Sequence, residues 1–387
     1  MTGYERVKAA LEHRESDRIP FDLGGSVLTG INRHAYVKLR GYLGLPEREV
    51  DLVDPMQQLA RVDADLLARL EVDVACVDPD PPSGPTLAED PVIEGEYWRM
   101  VDEWGISWRM PVKGGHYFDM CGQPLKDAET AADFQFFPWP NPIQEARFAT
   151  LKTRADKAVF GEKKAYILGR QYAGIWETAL WMCGFEKFFA DMLINEDFAH
   201  ALMRKITELK MAYWEKALET VGDNVLVVSE ADDLATQSSL LCSPELYERM
   251  VHPYHKELFG FIRRKAKSPI HIFYHSCGAV KPLIPLLIDE GVDVLNPVQV
   301  NASGMDTKVL KREFGKDVTF WGGGVDTQRV LPFGTPAEVR DEVKRRIDDL
   351  APGGGFVFAS VHNVQSDVPP ENFMAMWEAM REFGVYR

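Results

Sequence analysis

HIFYHSCGAV, residues 271–280, is built like a strand that breaks off in polar side chains. The run leading into it is apolar and β-rich without alternation, as strands of a parallel sheet covered on both faces read. It delivers His275 and Cys277 at its end, and strand residues two apart point to the same side. A second run, FVFASVHNVQSD (356–367), places His362 85 residues beyond Cys277 in the same manner. An imidazole and a thiol aimed together from one strand end, with an imidazole leaving another, is the pattern to be explained.

Eight such runs recur: IPFDL (19–23), VDVACV (72–77), AYILG (165–169), NVLVVS (224–229), IHIFY (270–274), VDVLN (292–296), VTFWG (318–322) and GFVFA (355–359). Between them lie helical stretches with start signals. TGYE (2–5) and TPAE (335–338) resemble capping boxes, and Ser243-Pro244 opens an amphipathic segment. The stretch from Gly174 to Gly222 is too long for one simple helix and reads as two or three. Strands alternating with helices predict an α/β fold, a (β/α)8 TIM barrel, as a single domain over 1–387. One interval breaks the rhythm. Residues 78–164, after the second strand, are an excursion over the barrel; VIEGEYWRMVDEWGISWRMP within it alternates like a hairpin. A lid or substrate-facing wall and a packing decoration at the barrel edge both fit it.

The 387 residues carry 44 Lys and Arg against 59 Asp and Glu, a net charge of −15, with no clustered basic stripe. Nucleic acid and anionic membranes are excluded as partners on that ground. No run approaches the roughly 18 uncharged apolar residues of a membrane span, and MTGYERVKAALEHRESDRIP is not a signal peptide. Five cysteines (Cys76, Cys121, Cys183, Cys242 and Cys277) show no regular spacing. A disulfide framework is not expected, and the reading is a cytoplasmic protein.

Barrel enzymes carry their chemistry at the C-terminal ends of the strands. There the fifth run offers His275 and Cys277, the eighth His362, and the fourth Glu230, Asp232 and Asp233. Two imidazoles and a thiolate are a donor set for Zn2+, which in catalytic sites keeps a further position open. Glu230 is the candidate for a displaceable fourth ligand; Asp232 and Asp233 orient ligand histidines or cap a helix. A hydrogen-bonded core histidine and a cysteine–histidine hydrolase are the other readings of the same residues. Tyr274, Asn363 and Gln365 are candidate polar contacts, and Trp104, Trp108, Trp176 and Trp321 candidates for an aromatic-substrate pocket. Walker A, HEXXH, GxSxG and Rossmann GxGxxG patterns are absent.

The chain resembles the uroporphyrinogen decarboxylase superfamily, and within it the zinc-dependent, corrinoid-linked methyltransferases. The resemblance rests on DRIPFDLGG (17–25), DDLATQSSLLCSPELYERMVHPYHKEL (232–258), HSCG (275–278), WGGGVDTQRVLPFGTPAEV (321–339) and VPPENFMAM (368–376). True decarboxylases of this superfamily use no metal and carry an Arg-rich N-terminal segment for substrate carboxylates. Here that region reads RIPFDLGGSVLTGINRHAY, with Arg18 and Arg33 but no such motif. In the methyltransferase branch His-x-Cys supplies two zinc ligands, and the third is usually a cysteine. Counted back from Pro369-Pro370-Glu371-Asn372, that position falls on His362, itself a zinc-competent donor.

The resemblance implies Zn2+ held by His275, Cys277 and His362, and a corrinoid on a partner protein, since this chain lacks a DxHxxG signature of its own. The implied reaction moves a methyl group between a small methylated substrate, such as a methyl ether, and that corrinoid. A metal-free decarboxylase and a non-catalytic corrinoid- or tetrapyrrole-binding protein are the alternatives.

Overall fold

The computed structural model describes residues 1–83 and 86–386. Seven of the eight apolar runs form one parallel sheet in chain order: Val74–Val77, Ala165–Leu168, Val227–Ala231, His271–His275, Val294–Asn296, Thr319–Trp321 and Phe356–Val357. The eighth, IPFDL, joins the two edges. Phe21 bridges Phe358 in parallel, with Asp22 N–H donating to Phe358 O and Phe358 N–H to Pro20 O. On its other side Asp73 N–H donates to Phe21 O at 2.9 Å. The curled sheet is thereby closed into a TIM-barrel-like ring.

The closure is reinforced by charge. Arg18, 8% exposed, donates to both carboxylate oxygens of Asp73, 3% exposed, at 2.6 and 3.1 Å. Asp73 also accepts the Phe21 N–H at 2.9 Å. Removing one partner of such a buried pair leaves the other charge uncompensated.

Alternation along the strands divides the apolar residues into two sets. Val74, Ile167, Val227, Phe273, Val294, Trp321 and Val357 fill the barrel interior, where Phe273 and Trp321 meet edge to face at 5.4 Å. Their neighbours Val228, Ile272, Tyr274, Leu295 and Phe320 face the helical shell. Both capping boxes are present, at Thr2–Glu5 and Thr335–Glu338, and Ser243 caps its helix. The segment after Ser243 divides into Pro244–Met250 and His252–Lys265, with Pro253 in the first turn of the second, where its missing N–H costs nothing. The long stretch divides into Ile175–Cys183, Phe185–Ile194 and Glu196–Val221, the first break at Gly184 with φ +90°.

The excursion forms a four-stranded antiparallel sheet: Glu89–Glu94, Tyr97–Val101, Ser107–Pro111 and Asp119–Gly122. Its residues 84 and 85 lie outside the described residues. Asp102, 7% exposed, holds its inner turn by accepting the Trp104 and Ile106 N–H groups and the Trp108 indole N–H at 2.8–3.0 Å. Tyr172 O–H, from the barrel side, donates to the same carboxylate. Among the described residues no helix is long and apolar enough to cross a membrane.

The N-terminus of the Ile175–Cys183 helix has no capping side chain of its own. Asp232, fully buried, accepts its Trp176 and Glu177 N–H groups at 3.1 and 2.6 Å. Gly174 is required there, because a Cβ would lie 1.7 Å from Ala231 O. Behind Asp232, His255 Nε2 donates to it at 2.7 Å, and Glu290 faces the other ring nitrogen at 3.5 Å. Burial opposes a charge on His255, but Glu290 and Asp232 outweigh it and push its pKa up to about 10.

Two consequences are measurable. Asp73→Ala is expected to cost about 3–5 kcal/mol in denaturant unfolding, the range for stripping one partner from a buried ion pair; a loss below about 1 kcal/mol would match an exposed pair instead. The His255 imidazolium gains its partners only on folding, so its contribution is full below about pH 6.5 and is lost as pH rises through about 10. Melting curves should therefore show the native protein losing stability over that window more steeply than His255→Gln; parallel curves would place the charge elsewhere.

Candidate active site

The donor atoms of His275, Cys277 and His362 lie within 4.8 Å of one another at the mouth of the barrel. His275 closes the His271–His275 strand and is 5% exposed. Its Nδ1 lies 2.6 Å from Asn296 Oδ1, on the last residue of the neighbouring strand. Asn296 Nδ2 in turn donates to Trp321 O at 2.8 Å. With the amide oriented by that carbonyl, Nδ1 must be the donor, which leaves the Nε2 lone pair free to face the cluster. Cys277 Sγ stands 3.5 Å from that Nε2, and the His275 and His362 rings are 5.6 Å apart between centroids.

The turn carrying Cys277 is tightly held. Its N–H donates to Asp233 Oδ1 at 2.8 Å and the Gly278 N–H to Gln299 Oε1 at 2.7 Å. Gly278 has φ +91°, and a Cβ there would meet Thr236 O at 2.4 Å. Only glycine fits.

Burial pushes the pKa of both imidazoles down to about 4, aided at His275 by the charge of Arg170 and at His362 by His275. Both rings are neutral near pH 7, the form that binds a cation. Burial, then Asp233 and Glu177, raise the Cys277 thiol. Such a thiol ionises where a cation supplies the missing charge. Two neutral imidazoles and a thiol are a zinc donor set, and the 3.5 Å from Sγ to Nε2 matches the roughly 3.5 Å that bonds of ~2.0 and ~2.3 Å span in a tetrahedron. The residues present fit the ion.

His275 and His362 border a cleft of about 460 Å3. Asp78, Glu177 and Asp233 share it with Arg170 and Ser229, and its aromatic wall includes Trp108, Phe118, Tyr172 and Trp181. The excursion is thus a wall of the cleft. Cys277 and His362 border a second recess of about 260 Å3, lined by Thr236, Gln299, Thr327 and Gln328, so the donor cluster stands between the two. A roomier cleft of about 560 Å3 on the barrel flank, against the Val74–Val77 strand, contains none of these groups.

Two expected site residues lie elsewhere. Glu230 is not beside the cluster: its carboxylate accepts from Lys210 Nζ at 2.8 Å and Trp214 Nε1 at 2.6 Å, among the helices outside the barrel. The register explains it. Ala231 pairs with His275 and Ser229 with Phe273 on the inner face, so Glu230, beside Tyr274, faces out. Asp232 does not border the cleft and is spent on the helix N-terminus. Asp233 is the acidic residue of that run that reaches the cluster, 3.9 Å from His275 Nε2.

Of the tryptophans, Trp108 borders the cleft, while Trp104, Trp176 and Trp321 are buried in packing. Trp321 donates to Asp22 Oδ2 inside the barrel, at 2.8 Å. Tyr274 packs against His255 and Phe259, and Asn363 anchors the N-terminal loop at residues 27–30 by accepting the Gly30 N–H and donating to Val27 O. Gln365 donates to Asn363 O. Arg170, Glu177 and Trp181 were not anticipated. GRQY (169–172), directly after an apolar run, was the available signal for Arg170; Glu177 and Trp181, four apart on one helix face, needed the helix to be placed first.

Comparison with known proteins agrees with this architecture. Residues 124–383 match the family model described as uroporphyrinogen decarboxylase (URO-D). The uroporphyrinogen decarboxylase of Alkalilimnicola ehrlichii is 25% identical over 302 residues, 75% of each chain. That of Pseudoalteromonas atlantica is 25% identical over 284 residues, 70% of this chain and 74% of the relative. A solved structure, a methyltransferase from Methanosarcina mazei, superposes with a TM-score of 0.63 over 99% of both chains at 21% identity, a likeness of fold. With more than half its length matched by the family model, the chain belongs to the uroporphyrinogen decarboxylase family.

Proposed function

We propose that the protein is a zinc-dependent methyltransferase that takes a methyl group from a small methylated compound, such as a methyl ether, and passes it to a corrinoid on a partner protein. The observation that carries this reading is the convergence of His275, Cys277 and His362, with neutral imidazoles and one tautomer enforced, beside a cleft of about 460 Å3. Zinc, when bound, acts as a Lewis acid that makes the ether oxygen a better leaving group.

The remaining steps belong to the chain. Asn296 holds His275 in the ligating tautomer through Nδ1. Trp108, Tyr172 and Trp181 exclude water from one side of the cleft. A reduced corrinoid on the partner would supply the acceptor for the methyl group, and the oxygen that loses it takes up a proton. Glu177 is the residue we assign as that proton's source. The residue borders the cleft, and burial, with Asp233 and Asp232 near by, raises its pKa well above the usual carboxylate range, the direction a proton donor needs.

A metal-free decarboxylase is the second reading, favoured by the names of the curated relatives. Against it, neither Arg18 nor Arg33 borders the cleft, where Arg170 is the one arginine among the lining residues. The test is a panel of methyl ethers with cob(I)alamin, followed by the absorbance of methylcobalamin. Transfer is expected with the native protein and not with Cys277→Ser. Glu177→Gln is expected to lower kcat by about 10²–10⁴, the usual worth of a positioned acid, with KM little changed. Equal activity of native and Cys277→Ser proteins, or carbon dioxide release from a porphyrinogen instead, would replace this reading with the second.

A further inference from the structure

A barrel of this kind covers the outer face of each strand with the helix that follows it. After Val74–Val77 the chain leaves on the excursion instead, and the cleft of about 560 Å3 on that flank is lined by two six-residue helices, Ala64–Arg69 and Leu151–Asp156. Small residues keep it open: Ala64 and Ala68 on the first helix, Ala75 on the strand and Ala158 beyond the second helix. With Val62, Leu67 and Val72 they form an aliphatic floor, and no aromatic side chain lines it among the described residues. The second helix continues into a π turn, Lys157–Gly161, in which the Glu162 N–H donates to Lys157 O at 2.8 Å. Such turns are rare and recur at functional sites. Lys157 and Ala158, at its start, both line the cleft.

The charge around this floor is positive, in a chain whose net charge is −15. Arg61, Arg154, Lys157 and Lys164 line the cleft. Asp51 meets Arg61 at 2.7 Å and Asp80 meets Arg154 at 3.1 Å. Lys157 and Lys164 share the single carboxylate of Glu162, at 3.3 and 3.6 Å. The other lining carboxylate, Glu71, is turned to Arg18 and Arg381. Three carboxylates for four cations leave one positive charge over, and it falls on the two lysines. Of these Lys164 is the more enclosed, its side chain 15% exposed. An ammonium is a point charge that takes a carboxylate without demanding a fixed fork geometry.

We propose that the flank cleft is a second binding site, for an aliphatic monocarboxylate of the medium-chain fatty-acid kind. The chain lies on the floor of Val62, Leu67, Val72 and Ala75, and the head group on Lys164 and Lys157. The class is set by the two features together. A neutral amphiphile leaves the surplus charge unmet, and a compact anion such as phosphate leaves the apolar floor in water. The volume is within the size range of small-molecule sites. The cleft shares none of the metal donors, so the site is independent of methyl transfer.

Isothermal titration of the native protein with butanoate, hexanoate and octanoate is expected to show affinity rising roughly tenfold for each two methylenes added. Octanoate is expected to bind about tenfold or more tightly than 1-octanol or octylammonium. Replacing both lysines, by Lys157→Gln with Lys164→Gln, leaves Glu162 facing the head group and should bring octanoate down to the level of octanol or below. Ala68→Trp, at an exposed position of its short helix, should close the cleft and abolish binding of both. Circular dichroism establishes that each variant is folded. Binding of none of these ligands, affinity independent of chain length, or octanol bound by the native protein as tightly as octanoate would overturn the proposal. So would octanoate binding that survives unchanged in either folded variant, which would place the amphiphile elsewhere on the molecule.

Discussion

The in-register pairing of Val227–Ala231 with His271–His275 is the constraint on which the barrel mouth depends. Each strand residue faces either the barrel axis or the helices, and parallel pairing carries that choice to the neighbour. With Phe273 inside the barrel, His275 is inside too, and Ser229 and Ala231 with them. Glu230 is sent outward by the same rule, where Lys210 and Trp214 take up its charge. A slip of one residue in the first strand would turn Glu230 into the barrel, and one in the second would turn the imidazole into the helical shell.

Around that frame the structure spends its buried polar groups on fixing positions. Asn296 ties the ends of three adjacent strands through His275 Nδ1 and Trp321 O. Asp233 and Gln299 hold the turn of Cys277 by its backbone. Asp232, backed by His255, sets the start of the helix that brings Glu177 and Trp181 to the cleft. Buried hydrogen bonds of this kind stabilise modestly when made and cost more when broken. Their effect here is geometric: the candidate ligands reach a common point with one tautomer already chosen.

Much of this was legible before the structure. The eight apolar runs became seven strands and the bridging segment, because continuous β-rich runs have few other uses in a chain of this length. Capping boxes marked two helix starts, since Thr and Glu three apart satisfy the first-turn donors reciprocally. His275, Cys277 and His362 were readable as polar residues just past apolar runs, but of the three only His275 lies in a strand; turn and loop geometry aims the other two. Glu230 was misplaced because facing depends on register, which no local pattern in SEADD reports. Asp232 was spent by a helix start more than 50 residues away, at Trp176 and Glu177. Of the four candidate tryptophans only Trp108 lines the cleft, and which one does so depends on tertiary packing that residue type does not report.

The central claim is that the three donors at the barrel mouth bind a metal, and metal content tests it most directly. Elemental mass spectrometry of the native protein, prepared without chelator and dialysed against metal-free buffer, is predicted to find about one zinc per chain. Cys277→Ser and His362→Ala proteins, shown by circular dichroism to be folded, are predicted to lose or greatly weaken it. No metal in the native protein, and none taken up when zinc is added, would contradict the account.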